Sequence, residues 1–88
     1  MQRTTAYAAL AAELESWRIL PETELLLVLD QPPRSRIVNA DGEELVLEVV
    51  VSWATEKRIA LKISGTAYGP SHLLIERLEE ALIVPISG

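Results

Sequence analysis

The sequence predicts a single α+β domain over residues 1–88, with the element order α-β-β-β-β-α. Its four strands would form an antiparallel meander sheet, and its two helices would pack on one face of that sheet. Three observations predict this fold: apolar residues alternate with other residues between Glu43 and Gly65, an alanine-rich amphipathic segment precedes them, and a leucine-rich amphipathic segment follows them. A period of two is typical of strands with one buried face, and a period of about 3.6 is typical of helices.

The first helix is predicted to run from Thr4 or Thr5 to about Trp17. Either threonine can cap the first turn, because its hydroxyl oxygen accepts a hydrogen bond from an N–H group that has no partner within the helix. Leu10, Leu14 and Trp17 have the i, i+4, i+7 spacing that places them on one face. Alanines fill much of the remainder, and alanine has the highest helix propensity.

A first strand is predicted at Leu25–Leu29, a short and wholly apolar run between Glu24 and Asp30. A run of this length between charged residues is typical of a buried strand. Pro32 and Pro33 follow closely and interrupt any regular element. The predicted sheet therefore begins with this run.

The pair Asp41-Gly42 predicts a hairpin between the second and third strands, with a loop of either two or three residues. A two-residue loop would place Arg34 and Arg36 on the core face, whereas a three-residue loop over 40–42 would place them on the outer face. The choice matters because a slip of one residue moves every side chain to the opposite face. We predict the three-residue loop, because it keeps both arginines out of the core.

The connection to the fourth strand is predicted as a three-residue loop over 54–56. This loop sets apolar residues of the two strands opposite one another, in the pairs Val51 with Ile59, Val49 with Leu61, and Leu47 with Ile63. On the other face it sets Glu48 opposite Lys62, a pair that would stabilise the sheet by roughly 0.2–1 kcal/mol. Hydrophobicity and charge therefore favour the same register.

The last helix is predicted from Gly69-Pro70-Ser71 to Pro85, since proline is favoured at the start of a helix and stops one at its end. Its apolar residues fall on one stripe: Leu74, Ile75, Leu78, Ala81 and Leu82. Its charged residues would point to solvent: Glu76, Arg77, Glu79 and Glu80. This segment supplies the second helix of the predicted fold and gives it an acidic outer surface.

The chain carries eight basic and thirteen acidic residues, a formal net charge of −5. Nucleic-acid binding depends on cationic side chains that neutralise phosphates, so we expect no nucleic-acid partner. A basic protein would be attracted, although the same charge also simply keeps a domain soluble.

The longest apolar run, Leu25–Leu29, is far shorter than the roughly 20 residues of a membrane span, so we expect no membrane partner. The absence of cysteine fits a reducing compartment, and we expect a cytoplasmic protein.

The chain contains residues of the types that enzymes use in catalysis, but their spacing forms no recognisable catalytic site. His72 and Glu76 would meet on one helix face, yet a zinc site needs three or four ligands and the spacing supplies no third. None of the serines stands in a Gly-x-Ser-x-Gly elbow, and there is no cysteine nucleophile. We therefore expect no enzymatic activity, no metal and no cofactor.

The most informative surface is the even-numbered face of the predicted sheet. An exposed sheet face normally alternates to polar residues, whereas this face carries valines and an alanine surrounded by charges. An apolar centre surrounded by charged residues is typical of a protein interface. The predicted binding residues are Val38, Val46, Glu48, Val50, Arg58, Ala60 and Lys62 on and around this face, and Glu76, Glu79 and Glu80 on the last helix.

The same valines are open to two interpretations that involve no partner. The alanine-rich first helix would account for them if it covered this face instead of the opposite one. Valine is also favoured in strands on either face, and scattered exposed apolar residues are normal in proteins.

The function predicted from these features is protein binding without catalysis. In size, charge and lack of a recognisable active site the chain is similar to the immunity proteins of toxin systems, although it shares no motif with them. The most concrete prediction is thus a small acidic inhibitor that binds a basic partner protein. One alternative is a homo-oligomeric structural or chaperone-like module that pairs this face with a second copy. The other is a small-ligand binder or enzyme that uses His72 with Glu76 or Tyr68.

Overall fold

A computed structural model describes residues 3–69 and 77–86 of the chain. In that part of the chain the elements are two helices, α1 (Arg3–Arg18) and α2 (Glu22–Leu27), and four strands, β1 (Arg34–Ala40), β2 (Glu43–Trp53), β3 (Ala60–Tyr68) and β4 (Arg77–Pro85). The strands form one antiparallel sheet in the order β1-β2-β3-β4. The predicted α+β class is confirmed, with its four-stranded meander and its helix packing on the sheet, but both helices precede the sheet in the chain.

The segment predicted as the first strand is mostly helical. α2 begins directly after Pro21, whose carbonyl oxygen accepts a hydrogen bond from the N–H group of Glu24 at 2.9 Å. Acidic side chains in the first turn interact favourably with the helix dipole, and leucine has a higher helix propensity than β-branched residues. The prediction of a strand at Leu25–Leu29 was therefore wrong. Within it, Leu29 alone pairs with a strand, through an isolated parallel bridge to Val51.

The segment predicted as the last helix is a strand over its described part. β4 pairs with β3 along its whole length of nine residues. Leu78 and Leu82 fit a helical spacing of four and equally a strand spacing of two, and the pairing with β3 decides between them. The helix prediction was wrong for Arg77–Pro85, and residues 70–76 of the predicted helix lie outside the described residues.

β1 and β2 are joined by a two-residue turn, Asp41-Gly42, so the predicted three-residue loop was wrong. Both turn residues have positive φ, 52° and 78°, as in the type I′ turn whose twist matches that of paired strands. The register places Arg34 and Arg36 on the core side of the sheet. The two arginines are tolerated there because β1 is an edge strand, from which long side chains can extend to solvent.

β2 and β3 are joined by a longer loop than predicted, and their register differs from the predicted one by four residues. The Ala54 N–H donates to the Ala60 carbonyl at 2.9 Å and closes this loop. The pairs on the core side are Leu47 with Ala67, Val49 with Gly65, Val51 with Ile63, and Trp53 with Leu61. A shift by an even number of residues leaves every side chain on its predicted face. The predicted pair of Glu48 with Lys62 is not formed, because Glu48 lies opposite Thr66.

α1 packs across one side of the sheet, mainly against β3 and β4, and we call this side the helix face. Leu10 and Leu14 lie so close to Gly65 that a Cβ atom there would be 2.8 Å from a methyl carbon of each leucine. Glycine at this position therefore permits the close approach of the helix. The buried core of the helix face consists of Leu10, Leu14, Leu25, Leu47, Val49, Val51, Leu61, Ile63 and Ala67.

Candidate protein-binding face

The side of the sheet opposite α1 carries neither described helix, and we call it the open face. It consists of alternate residues of each strand: Ser35, Ile37 and Asn39 of β1, Glu44, Val46, Glu48, Val50 and Ser52 of β2, Ala60, Lys62, Ser64, Thr66 and Tyr68 of β3, and Arg77, Glu79, Ala81, Ile83 and Pro85 of β4. Because Leu10 and Leu14 of α1 pack on Gly65 of the helix face, the interpretation in which the first helix covers the valines was wrong for Val46 and Val50. Ile37 is 68% exposed and Ile83 is 58% exposed on this face.

Apolar and polar residues are interspersed across the open face. One row contains Ile37, Val46, Tyr68 and Arg77, and the next contains Ser35, Glu48, Thr66 and Glu79. Glu48 therefore separates Val46 from Val50, and Val50 has Ser64 beside it. Polar side chains therefore interrupt the predicted apolar centre among the described residues. The face instead mixes apolar and polar groups, as non-obligate protein interfaces do.

Three side chains on the open face form a cluster that spans three strands. The Tyr68 hydroxyl donates a hydrogen bond to Glu48 Oε1 at 2.5 Å, and Arg77 Cζ lies 4.8 Å from the centroid of the Tyr68 ring. Neither Tyr68 nor Arg77 was among the predicted protein-binding residues, although Tyr68 was a candidate for binding a small ligand. Their contact depends on the register of β3 and β4, for which the local sequence contains no signal.

The electrostatics of this cluster keep Tyr68 in its protonated form. The hydrogen bond to the Glu48 carboxylate raises the pKa of Tyr68, and partial desolvation and the negative charge of Glu48 act in the same direction, while the charge of Arg77 opposes them. At neutral pH the phenol is therefore a hydrogen-bond donor and a flat ring held at the surface.

The predicted binding residues are divided among several places in the structure. Those on the open face are Val46, Glu48, Val50, Ala60, Lys62 and Glu79. Val38 lies opposite Leu45 on the helix face, because the hairpin loop is one residue shorter than predicted. Arg58 lies in the loop between β2 and β3, with its guanidinium 6.0 Å from the centroid of the Trp53 ring.

The predicted acidic helix surface does not exist in the described part of β4. Glu79 and Glu80 are neighbours on a strand, so they lie on opposite faces of the sheet. Glu80 is opposite Gly65 and therefore on the helix face. Glu76 lies outside the described residues.

A second polar cluster joins α1 to β1 on the helix face. Glu13 Oε1 accepts a hydrogen bond from Arg36 Nε at 3.0 Å and lies 2.9 Å from Arg36 Nη2 in the same ion pair. Glu13 Oε2 accepts a hydrogen bond from Trp17 Nε1 at 3.1 Å. The Glu13 side chain is only 11% exposed, so these donors replace much of the water that would otherwise surround its oxygens. This cluster holds the edge strand against the helix. The sequence prediction missed it because the three-residue loop placed Arg36 on the other face.

The described residues contain no group of three or more His, Cys, Asp or Glu side chains that could hold a metal ion. His72 and Glu76, the predicted metal or ligand pair, lie outside the described residues. Within the same described part, neither helix is long and apolar enough to cross a membrane.

Comparison of the chain with protein families, with curated proteins and with solved structures found no match in any of the three.

Proposed function

We propose that this chain is a non-catalytic protein-binding domain whose open face holds a basic partner protein, most concretely as an inhibitor of the immunity type. The observation that carries the proposal is a face of a small sheet that neither described helix covers, on which Ile37 and Ile83 are more than half exposed. Burial of such apolar side chains against a partner drives association.

The cluster of Glu48, Tyr68 and Arg77 supports this proposal. Tyrosine and arginine are enriched among the residues that contribute most to protein interfaces. The hydrogen bond and the cation–π contact orient the Tyr68 ring before a partner arrives. Less side-chain freedom is then lost on binding, which favours affinity.

The charge of the chain supports a basic partner. The net charge is −5, and exposed Glu44 and Glu79 lie on the open face itself. A negative potential steers a basic protein toward the surface and raises the association rate, most strongly at low salt.

The first test is capture of proteins from an extract of the source cells by immobilised chains. Ile37→Glu and Val50→Glu each add a negative charge to the open face, and Thr23→Glu adds one to an exposed position on α2 as the control. Circular dichroism establishes that each variant is folded. We expect a basic protein that wild type and Thr23→Glu retain and that both open-face variants lose. Equal retention by all four proteins would exclude the open face as the binding surface.

The second test measures the electrostatic part of the proposal with the identified partner. Glu79→Lys and Glu80→Lys change the net charge equally, but Glu79 is on the open face and Glu80 is on the helix face. We expect the association rate at low salt to fall by about tenfold for Glu79→Lys and clearly less for Glu80→Lys, with the difference lost at high salt. Equal rates for the two variants would show that only net charge matters.

A further inference from the structure

The two edge strands of the sheet differ in how their outer backbone groups are protected. An edge strand presents unpaired N–H and C=O groups that can pair with another strand. β1 follows Pro32-Pro33 and carries Arg34 and Arg36, and prolines and charges discourage such pairing. Beyond the end of β1, the same side of β2 is covered where Leu29 bridges Val51.

β4 is less protected, because its charged residues lie in its first half and residues 81–84 are uncharged. It is nine residues long, has an unbroken register with β3, and contains no lysine and no proline before its last residue, Pro85. Among the described residues, β3 is the only strand beside it. The side chain of Ile83 on this strand is 58% exposed. Such an edge is open to pairing with a strand from another molecule.

We propose that β4 pairs antiparallel with β4 of a second copy of this chain, about a two-fold axis at Ala81. Ala81 then faces its own counterpart, and every residue of β4 is paired. The other facing pairs are Arg77 with Pro85, Leu78 with Val84, Glu79 with Ile83, and Glu80 with Leu82. The charged half of one strand thus lies against the apolar half of the other, and no like charges face each other.

Alternative registers of the same pairing are less favourable. If the helix faces of both copies lie on the same side of the joined sheet, two facing residues must both be odd-numbered or both be even-numbered. The two-fold axis must then lie at a residue and not between two residues. An axis at Glu79 or Glu80 would set two identical carboxylates directly opposite each other, which is destabilising. An axis at Leu82 or beyond would leave the first residues of β4 without partners. Ala81 alone gives full length without a like-charge pair.

The adjacent flank of α1 supplies further apolar surface. One flank of α1, with Ala9 and Glu13, lines a groove beside Val38 of β1. Helical geometry places Tyr7 and Ala11 on the opposite flank, towards β4. Tyr7 is 51% exposed. Around the two-fold axis the two flanks approach each other above the paired strands, which extends the interface toward the roughly 1,200–2,000 Å² of a stable complex.

Edge pairing of this kind leaves both open faces uncovered. The two sheets join side by side into one continuous sheet, and the open faces lie on the same side of it. Dimerisation through β4 is therefore independent of the proposed function, and either can fail without the other.

The register is tested by a cysteine cross-link, because the chain contains no cysteine. In the proposed dimer the two Cα atoms at position 81 are about 4.5–5.5 Å apart, within the range that a disulfide spans. We expect Ala81→Cys to form a disulfide-linked dimer under mild oxidation. Ile83→Cys is the matched control, because each Ile83 faces Glu79 and the two cysteines would be about 13 Å apart. No cross-link at 81, or equal cross-linking at 81 and 83, would overturn the register.

The interface is tested by light scattering of the full chain across a wide concentration range. We expect a wild-type dimer, and Ala81→Lys should raise its dissociation constant by about tenfold or more, since two ammonium groups would meet at the axis. Ser35→Lys adds the same charge to the open face at the β1 edge and should leave the dimer intact. A wild-type monomer at every concentration, or a dimer that Ala81→Lys does not weaken, would overturn the proposal.

Discussion

The helix face and the open face are made from alternate residues of the same four strands, but their side chains are held in different ways. Within β3, Leu61 and Ile63 are fully buried against the helices, whereas Lys62 between them is exposed. The helix face is close-packed and tolerates little change in volume. The open face is organised by a few contacts between neighbouring surface side chains. The difference places the buried apolar core on one face and leaves the other without a covering helix among the described residues.

The largest effect is expected from Gly65→Val on the helix face. The first carbon added at this position would already lie 2.8 Å from Leu10 and Leu14, and valine adds two further methyl groups. Overpacking typically costs about 1–3 kcal/mol, and we expect the upper end of that range or more for valine. For Gly65→Ala we expect about 1 kcal/mol, because the ends of the leucine side chains can shift. Urea denaturation measures both losses of the free energy of unfolding.

The matched control is Ser64→Val, one residue earlier on the same strand and on the open face. Valine is favoured in strands and meets no helix there, so the free energy of unfolding should stay within about 0.5 kcal/mol of wild type. Equal destabilisation by valine at positions 64 and 65 would show that the two faces do not differ in how tightly they are packed.

An intermediate effect is expected from Arg36→Met, which keeps an unbranched apolar side chain but removes the guanidinium. Glu13 Oε1 then loses its donor, while Trp17 still donates to Oε2. Because Glu13 is only 11% exposed, we expect a loss of about 1 kcal/mol in the free energy of unfolding. Arg34→Met removes the same charge from an exposed residue on the same face and should have a clearly smaller effect. Equal losses would show that net charge matters rather than the contact with Glu13.

The smallest effect is expected on the open face, from the hydrogen bond of Tyr68 to Glu48. This bond raises the pKa of Tyr68 above its ordinary value of about 10, so the folded state holds the phenol proton more tightly than the unfolded state. The contribution to stability is therefore present in full below about pH 10 and is lost as the pH rises through the folded-state pKa. Tyr68→Phe should lower stability slightly at pH 7 and not at strongly alkaline pH.

The pKa itself is measured by absorbance titration of the phenolate. The chain has two tyrosines, so a Tyr7→Phe background reports Tyr68 alone. Glu48→Gln removes the carboxylate acceptor and should bring the pKa of Tyr68 down. An identical titration with and without Glu48 would show that the open-face cluster is not held as the structure describes.

The faces of β2 and β3 could be predicted because alternation is a local property of the sequence. Val46, Glu48 and Val50 lie on the predicted face for this reason. Their partners could not be predicted, since any even shift of register gives the same alternation. The difference of four residues between the predicted and observed registers of β2 and β3 is invisible in the pattern.

β4 shows the limit of local sequence patterns more clearly. Its leucines and glutamates satisfy a helical pattern, and only the available edge of β3 makes the segment a strand. The separation of Glu79 from Glu80 and the contact of Tyr68 with Arg77 follow from that distant pairing. Neither feature could be predicted from the sequence of the segment itself.

The loop of the β1–β2 hairpin was mispredicted for a different reason. The pair Asp41-Gly42 is a sufficient signal for the two-residue turn that the structure contains. The three-residue loop is favoured only if arginine is unfavourable on the core side of the strand. That condition holds for central strands, whereas Arg36 lies on an edge and is paired with Glu13. The prediction placed Val38 on the wrong face for the same reason.

The Asp41-Gly42 turn also bears on the order in which the sheet assembles. Two residues join β1 to β2, so little chain entropy is lost when they pair, and hairpins of this kind close in about 1–10 μs. β4 pairs with β3 only when the longer stretch of chain between Tyr68 and Arg77 has brought the two strands together. We therefore expect β4 to join the sheet last. Until it does, β3 is the exposed edge, and a newly made chain is most prone to misassociation at a strand that the finished protein keeps in its interior.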